Sequence, residues 1–282
     1  MNILSIQSWV AYGHVGNSSA VFPMQRLGHE VWSVNTVQFS NHTGYGQWRG
    51  QVFSADDVRE LVAGIEERGV LPRCDGVLSG YMGDASIGEA ILGSASRVRA
   101  LNPEALYCCD PVIGDVGRGI FVRPGIPEFM RDKAVPVADI ITPNQFELEF
   151  LSGMTIGSLA DAQVALSRIH ALGPRIILVT SFKTAETPED AIEMLVSDGT
   201  SRFRVRTPLL PLSINGAGDA IAALFFVHYL VTRDAATALV QAASSIYGLL
   251  KRTAEAGSRE ILTVAAQDEF VAPSTIFQAE SI

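Results

Sequence analysis

Apolar residues fall in short, nearly unbroken runs, and most runs are followed by a longer stretch whose apolar positions have a helical spacing. NILSIQ (residues 2–7) precedes GNSSAVFPMQRLG (16–28), and DGVLSGY (75–81) precedes ASIGEAILGSASRVRAL (85–101). ALYCCDPV (105–112), VADIIT (137–142) followed by NQFELEFLSG (144–153), and PRIILVTS (174–181) continue the pattern. Runs without polar alternation suit strands buried on both faces. Their alternation with helices predicts an α/β fold with a central, mainly parallel sheet flanked by helices. HEVWSVNTVQFSN (29–41) and YGQWRGQVFS (45–54) read as two further strands around an NHTG loop, and residues 190–208 read as a hairpin turning at Asp198 and Gly199. Beyond Gly218 helices dominate, and Ala220, Ala223, Leu224 and Val227 form a core-facing stripe. No linker, repeat or low-complexity segment divides the chain, so one domain over residues 1–282 is expected.

Sheets of this kind bind ligands beyond the carboxyl ends of their strands. The residues just past each predicted strand are Ser8, Asp110 with Asp115 close behind, Thr142, Asn144 and Glu147, and Thr180 with Ser181. These are hydroxyls, an amide and carboxylates, with no histidine or cysteine cluster, a set that suits phosphate and an oxygen-liganded Mg²⁺ better than zinc. Each residue also has a plain structural reading. Asn144 with Glu147 three positions on is a capping-box pattern, Asp110 before Pro111 fits a turn, and Asp115 fits a solvated loop. Their joint placement at one sheet edge is what favours a site.

SINGAGDAIAALFFVHYLV (213–231) places two glycines at the start of a long apolar helix. Glycine inside a helix costs roughly 0.5–1 kcal/mol relative to alanine, which favours a bend or a close approach by another group there. Backbone N–H groups of Gly216, Ala217 and Gly218, with the positive end of the helix dipole, would form an anion site. Asp219 would sit beside that anion and accept a proton from an attacking hydroxyl. A glycine-containing helix entry with Asp219 merely complementing the dipole is the bland alternative. Ile221 occupies the third small-residue position of a dinucleotide fingerprint, and neither a P-loop nor the protein-kinase motif set occurs.

With 282 residues, 48% hydrophobic and 18% charged, the composition is that of a folded protein with a large core. A net charge of −9 argues against nucleic-acid binding. Cys74, Cys108 and Cys109 lack metal-site or paired spacing, so they are expected as reduced thiols. MNILSIQSWV has neither a basic leader nor a cleavage site, and no apolar run reaches the ~20 residues that span a bilayer. A soluble cytoplasmic protein that does not enter membranes is the resulting expectation.

NGAGD (215–219) is similar to the signature of the ribokinase-like superfamily. Over nearly the full length, IQSWVAYGHVGNSSAVFPMQRLG, NTVQFSNHTGYGQWRGQV, VLSGYMGD, YCCDPVIGD, ADIITPNQFELEFLSG and VTSF resemble the pyridoxal kinase family. The resemblance implies a ribokinase-like three-layer sandwich and transfer of the ATP γ-phosphoryl to the 5′-hydroxyl of pyridoxal, pyridoxine and pyridoxamine in vitamin B6 salvage. It implies Asp219 as base and the amides of Gly216, Ala217 and Gly218 as anion hole. Ser8, Thr43 and Tyr81, with His42 nearby, would hold the pyridine ring. Asp110, Asp115 and Glu147 would manage Mg²⁺, some through water, and Thr142, Asn144, Thr180 and Ser181 would line the ATP phosphates. GDVGRGIFV (114–122) would cover the nucleotide. The resemblance further implies a homodimer and a response to K⁺.

Trp9, Asn215 and Ala217 depart from the pattern, which carries histidine, valine and threonine there, so ring-pocket shape and one hydroxyl contact to phosphate differ. Two competing readings remain: a ribokinase-like kinase acting on hydroxymethylpyrimidine or a sugar, and a non-catalytic pyridoxal or pyridoxal-phosphate carrier. SNHTGY disfavours the sugar, and the intact glycines with Asp219 disfavour the carrier.

Overall fold

A computed structural model describes residues 1–282. The chain runs β1 (Asn2–Val10), α1 (Asn17–Arg26), β2 (Glu30–Phe39), β3 (Gly50–Val52), α2 (Ala55–Glu66), β4 (Gly76–Ser79), α3 (Ala85–Leu101) and β5 (Leu106–Cys109). A small hairpin, β6 (Gly114–Asp115) and β7 (Gly119–Ile120), leads to α4 (Ile126–Phe129), α5 (Val135–Val137), β8 (Ile140–Ile141), α6 (Gln145–Ser152), α7 (Leu159–His170) and β9 (Ile176–Phe182). Then come β10 (Ala191–Ser197), β11 (Arg202–Pro208), α8 (Ala217–Thr232), α9 (Ala235–Glu255), α10 (Asp268–Val271) and β12 (Glu280–Ser281).

Ten strands form one sheet in the order β12-β11-β10-β9-β8-β5-β4-β1-β2-β3. The six central strands from β9 to β2 are parallel, and the flanking strands are antiparallel. Alternate residues of each central strand feed opposite layers. Leu4, Val77, Tyr107, Cys109, Ile141, Ile177 and Val179 join the core on the side of α2, α3, α6 and α7. Ile3, Leu78, Leu106, Cys108, Ile140, Ile176 and Leu178 join the core against α1, α8 and α9. This is the three-layer sandwich that the alternating pattern predicts. All three cysteines are buried and unpaired, and no helix is long and apolar enough to cross a membrane.

Several expected elements are shorter than their apolar runs. Only Gly50–Val52 of the expected strand over 45–54 pairs with β2, because Thr43–Tyr45 forms a 3₁₀ turn and Gly46 closes it with φ of 85°. Within the expected strand over 137–142, only Ile140–Ile141 is extended in the sheet. Helices α2 and α7 were not singled out by apolar periodicity, yet each opens on a serine cap, Ser54 bonding Asp57 and Ser158 bonding Asp161. The terminal pair β11·β12, through Phe203–Ser281 and Arg204–Glu280, was likewise unexpected.

A buried polar knot holds α1 to the sheet beneath the site. Ser5 Oγ donates to Asn17 Oδ1 at 2.7 Å, and Gln7 Nε2 donates to Ser5 Oγ at 3.0 Å. Asn17 Nδ2 donates to the Val34 carbonyl at 3.0 Å and to Asn35 Oδ1 at 2.9 Å. Asn17, Ser5 and Gln7 are almost fully buried, so removing the amide strands several partners at once. Asn17→Ala is expected to cost about 3 kcal/mol, from about 1–3 kcal/mol for each buried group left unpaired. Urea unfolding checks this: the midpoint should fall with an unchanged m-value, and a midpoint within error of the parent would refute it.

Candidate active site

The carboxyl edge of the sheet opens into a cavity of about 610 Å³. It gathers Ser8 near the end of β1, Phe39 at the end of β2, Tyr81 after β4, Asp110 after β5, Thr142 after β8, and Thr180 and Ser181 near the end of β9. The cap of α6 (Asn144, Gln145 and Glu147) and the start of α8 (Gly216, Ala217, Gly218 and Asp219) close it from two sides. Every residue anticipated from the sequence lines this one cavity, including His42, Thr43 and Asp115.

The start of α8 explains its glycines. Gly216 caps the helix in the left-handed region, with φ of 88°, and a Cβ there would lie 1.8 Å from the His14 carbonyl oxygen. Its own carbonyl accepts from Ser19 Oγ at 2.8 Å. Gly218 differs: a Cβ at that position meets nothing within 4 Å, so its missing side chain leaves open space in front of the helix N-terminus. That space, faced by unpaired N–H groups of the first turn, is where an anion fits.

Asp219 faces the same cavity. Burial raises its carboxyl pKa to about 6, against hydrogen bonds from the Gly16 N–H and its own N–H, which favour the charged form. Asp110 is 7% exposed and accepts from Thr142 Oγ1 at 2.9 Å. Burial, then the charges of Glu147 and Asp219, push its pKa well up. Glu147 completes the capping box with Asn144 and accepts from the Ile113 N–H at 2.9 Å. Burial still lifts its carboxyl to about 7, with the charge of Asp115 adding to the rise. Glu147 thus both caps α6 and lines the cavity.

Buried carboxylates at Asp110 and Glu147, hydrogen-bonded but without an ion-pair partner, are a hard oxygen donor set that fits a divalent cation. No three acidic, histidine or cysteine side chains converge into a complete cage, so such an ion would draw its remaining ligands from phosphate and water. Asp115 stands differently. Arg118 Nε donates to its Oδ2 at 2.7 Å, and a second guanidinium nitrogen of Arg118 contacts the same oxygen.

The wall formed by the cap of α6 and the end of β9 has its own backbone logic. Asn144 Nδ2 donates to the Gly114 carbonyl at 2.8 Å, fastening the β6–β7 flap to α6. Ser181 has φ of 51°, unusual for a residue with a side chain, beside an irregularity in the β9·β10 pairing. Such outliers concentrate where a chain must present a group to a ligand.

On the other side, Val10, Val15, Val37 and Phe39 form a small separate apolar cluster, with Tyr81 packed against it. Together they give the cavity an apolar wall. His42 Nδ1 accepts from the Gly44 N–H at 3.0 Å, and burial lowers its pKa, assisted by Arg118, so it is a neutral capping group. Tyr45 donates to Glu260, whose other oxygen accepts from the His14 N–H at 3.3 Å, and Arg259 lies 5.1 Å over the Tyr45 ring. This latch ties the 41–48 segment to the loop after α9. Neither Glu260, Tyr45, the four apolar wall residues nor Arg118 was marked from sequence: Glu260 and Tyr45 meet only across 215 residues of chain, and Arg118, although its Asp115 partner is three residues away, reaches Asn215 only in the fold.

A cradle of amides, a facing carboxylate and a ring-sized apolar wall at the mouth of a ribokinase-like sheet define a small-molecule kinase. Residues 73–264 match the family model described as phosphomethylpyrimidine kinase. The chain is 68% identical over 284 residues to a pyridoxal kinase PdxY of Granulibacter bethesdensis, covering 99% of each, and 50% identical to one of Corynebacterium diphtheriae, covering 100% of each. The solved pyridoxal kinase of Leishmania donovani in complex with ADP and pyridoxamine superposes with a TM-score of 0.92 at 28% identity, covering 100% of this chain and 99% of that one. The chain belongs to the pyridoxal kinase family.

The two glycines should separate folding from function. Gly216→Ala, strained in φ and driven into the His14 carbonyl, should lower Tm sharply. Gly218→Ala, with free space and a helical backbone, should keep or slightly raise Tm, by roughly 0.5–1 kcal/mol of helix propensity, while losing ATP turnover. Thermal melts and initial rates of both variants check this, and full activity in Gly218→Ala would contradict a phosphate seat at that amide.

Proposed function

We propose that residues 1–282 act as one kinase unit, since every strand outside the flap hairpin joins a single sheet. It transfers the γ-phosphoryl of ATP to the 5′-hydroxyl of pyridoxal, and of pyridoxine and pyridoxamine. The observation carrying this reading is the presence, in one cavity, of the Gly216–Gly218 amides, the Asp219 carboxylate, and the ring-side residues Ser8, Thr43 and Tyr81.

The pyridine ring lies against Val10, Val15, Val37 and Phe39, where Ser8, Thr43 and Tyr81 fix its orientation. Asp219 accepts the hydroxyl proton as the alcohol oxygen bonds to phosphorus and the bond to the bridging oxygen of ADP breaks. The amides of Gly216, Ala217 and Gly218 hold the charge that develops on the phosphoryl oxygens, and being fixed beforehand they need no reorganisation. Thr142, Asn144, Thr180 and Ser181 position the remaining phosphates. Asp110, Glu147 and Asp115 are the residues that would hold Mg²⁺, which when bound withdraws charge from the phosphates. The β6–β7 flap, with Val116 and Phe121, covers the nucleotide and excludes water. A homodimer in the cytoplasm completes the reading.

The functional test is ATP-dependent product formation with the three vitamers and with hydroxymethylpyrimidine. Phosphorylation of pyridoxal is expected to dominate. Turnover of the pyrimidine alone would overturn the substrate assignment, and pyridoxal binding without ATP consumption would favour a carrier.

Asp219→Asn should lower kcat on the order of 10²–10⁴-fold through loss of a general base. For the parent, kcat/KM should fall as pH drops through about 6, where Asp219 takes up its proton. The stability effect has the opposite sense. A carboxyl whose pKa is higher folded than unfolded weakens the fold above its unfolded value, so Asn relieves that cost at neutral pH. The half-buried side chain retains some water, and the gain is expected at about 1–2 kcal/mol. Stopped assays and melts at pH 5 and pH 8 check both, the stability difference being larger at pH 8.

A further inference from the structure

The cavity's charge is lopsided. Asp110, Asp115, Glu147 and Asp219 line it, and Arg118 is the only lysine or arginine that does. A triphosphate adds more negative charge to the same space. Arg118 stands at the β6–β7 turn, 4.9 Å over the Phe121 ring, with one edge of its guanidinium on Asp115. Its Nη1 lies 3.4 Å from Oδ1 of Asn215, the residue immediately before Gly216. The side chain is 54% exposed, so packing does not lock it into the Asp115 pair. An exposed pair three residues apart is a weak one, whereas a guanidinium matches phosphate bidentately.

We infer that Arg118 is a further catalytic residue, which leaves Asp115 for the migrating phosphoryl group when nucleotide binds. In the transfer, the alcohol O–P bond forms, the P–O bond to ADP breaks, and the hydroxyl proton passes to Asp219. The guanidinium keeps its protons and balances charge on the non-bridging oxygens. The flap thus delivers the one positive side chain opposite the backbone amides. This rests on the kinase reading above.

The test compares Arg118→Met and Arg118→Lys with the parent, all as full-length chains. Arg118→Met is expected to lower kcat about 100-fold or more, the range seen for charge-stabilising groups at phosphoryl transfer, and Arg118→Lys to fall between. Calorimetric binding supplies a readout that a structural role would not move. A non-hydrolysable ATP analogue should lose about tenfold in affinity for Arg118→Met, while ADP stays within about twofold, because only the analogue carries the third phosphate. Added guanidinium should restore part of the rate to Arg118→Ala. Equal weakening of ADP and the analogue, or rates in Arg118→Met within about twofold of the parent, overturns the inference. Absence of any vitamer turnover by the parent would instead overturn the kinase reading.

Discussion

The close approach of α8 to the loop before α1 is the constraint on which the site depends. Gly216 can meet the His14 carbonyl only because it lacks a side chain, and Ser19 then locks its carbonyl in place. Gly16, on the facing side, is bare for the same reason: a Cβ there would lie 2.2 Å from Ser8 Oγ and 2.3 Å from the Ser8 carbonyl oxygen. Two helix starts are thereby brought together at the end of β1. The amides of one face the phosphate seat, and the N–H of Gly16 from the other reaches Asp219. Asp219 is thus oriented by main chain on both sides, which makes its position a property of the fold rather than of a flexible side-chain network.

That arrangement concentrates negative charge. Asp110, Glu147 and Asp219 are raised in pKa chiefly because burial disfavours their ionised forms. A protein selected only for stability would replace such groups, since each ionised carboxylate without a cation is costly to keep out of water. Their retention is intelligible when cations arrive with the substrate. Under the proposed function these carboxylates are donors whose charge a metal–nucleotide complex would compensate, at a local cost in stability.

Much of this was legible from sequence, for reasons that can be stated. Near-continuous apolar runs such as those at residues 75–81 and 174–181 mark strands covered on both faces, and the edge rule then points to Ser8, Asp110, Thr142 and Thr180. Asn144 and Glu147 were legible as a cap because the box is local, three residues apart. Gly216 and Gly218 look alike in sequence, yet one answers a steric contact and the other an open seat, a distinction set by His14 from elsewhere in the chain. The overlong strand over 45–54 failed for a similar reason. Its aromatic and polar residues alternate well enough, but His42 caps a 3₁₀ turn and Asn41 Nδ2 bonds the Gln47 carbonyl at 2.9 Å, so the segment folds over the cavity instead. Glu260 lay beyond local reading altogether, since its Tyr45 partner is 215 residues away, and Arg118 has a local partner in Asp115 but meets Asn215 only through tertiary structure.

The two sides of the cavity are built differently. The side at the start of α8 and the cap of α6 is built from backbone amides, caps and strand ends, which depend little on side-chain identity; Ala217 can replace a hydroxyl residue there without removing the N–H groups. The ring side is built from side chains. Val10, Val15, Val37 and Phe39 pack as a small cluster of their own, joined to the larger core only through the partly buried Val52 and Tyr81. Trp9 lies next to Val10 on β1, and the Phe39 ring packs against Trp48 with centroids 4.0 Å apart and planes tilted by 35°. The Tyr45–Glu260 contact then fastens the segment that carries His42 and Thr43 over this wall. Under the proposed function, discrimination between pyridine and pyrimidine rings falls to this side-chain patch and its latch, while the chemistry falls to a main-chain framework on the opposite side of the cavity.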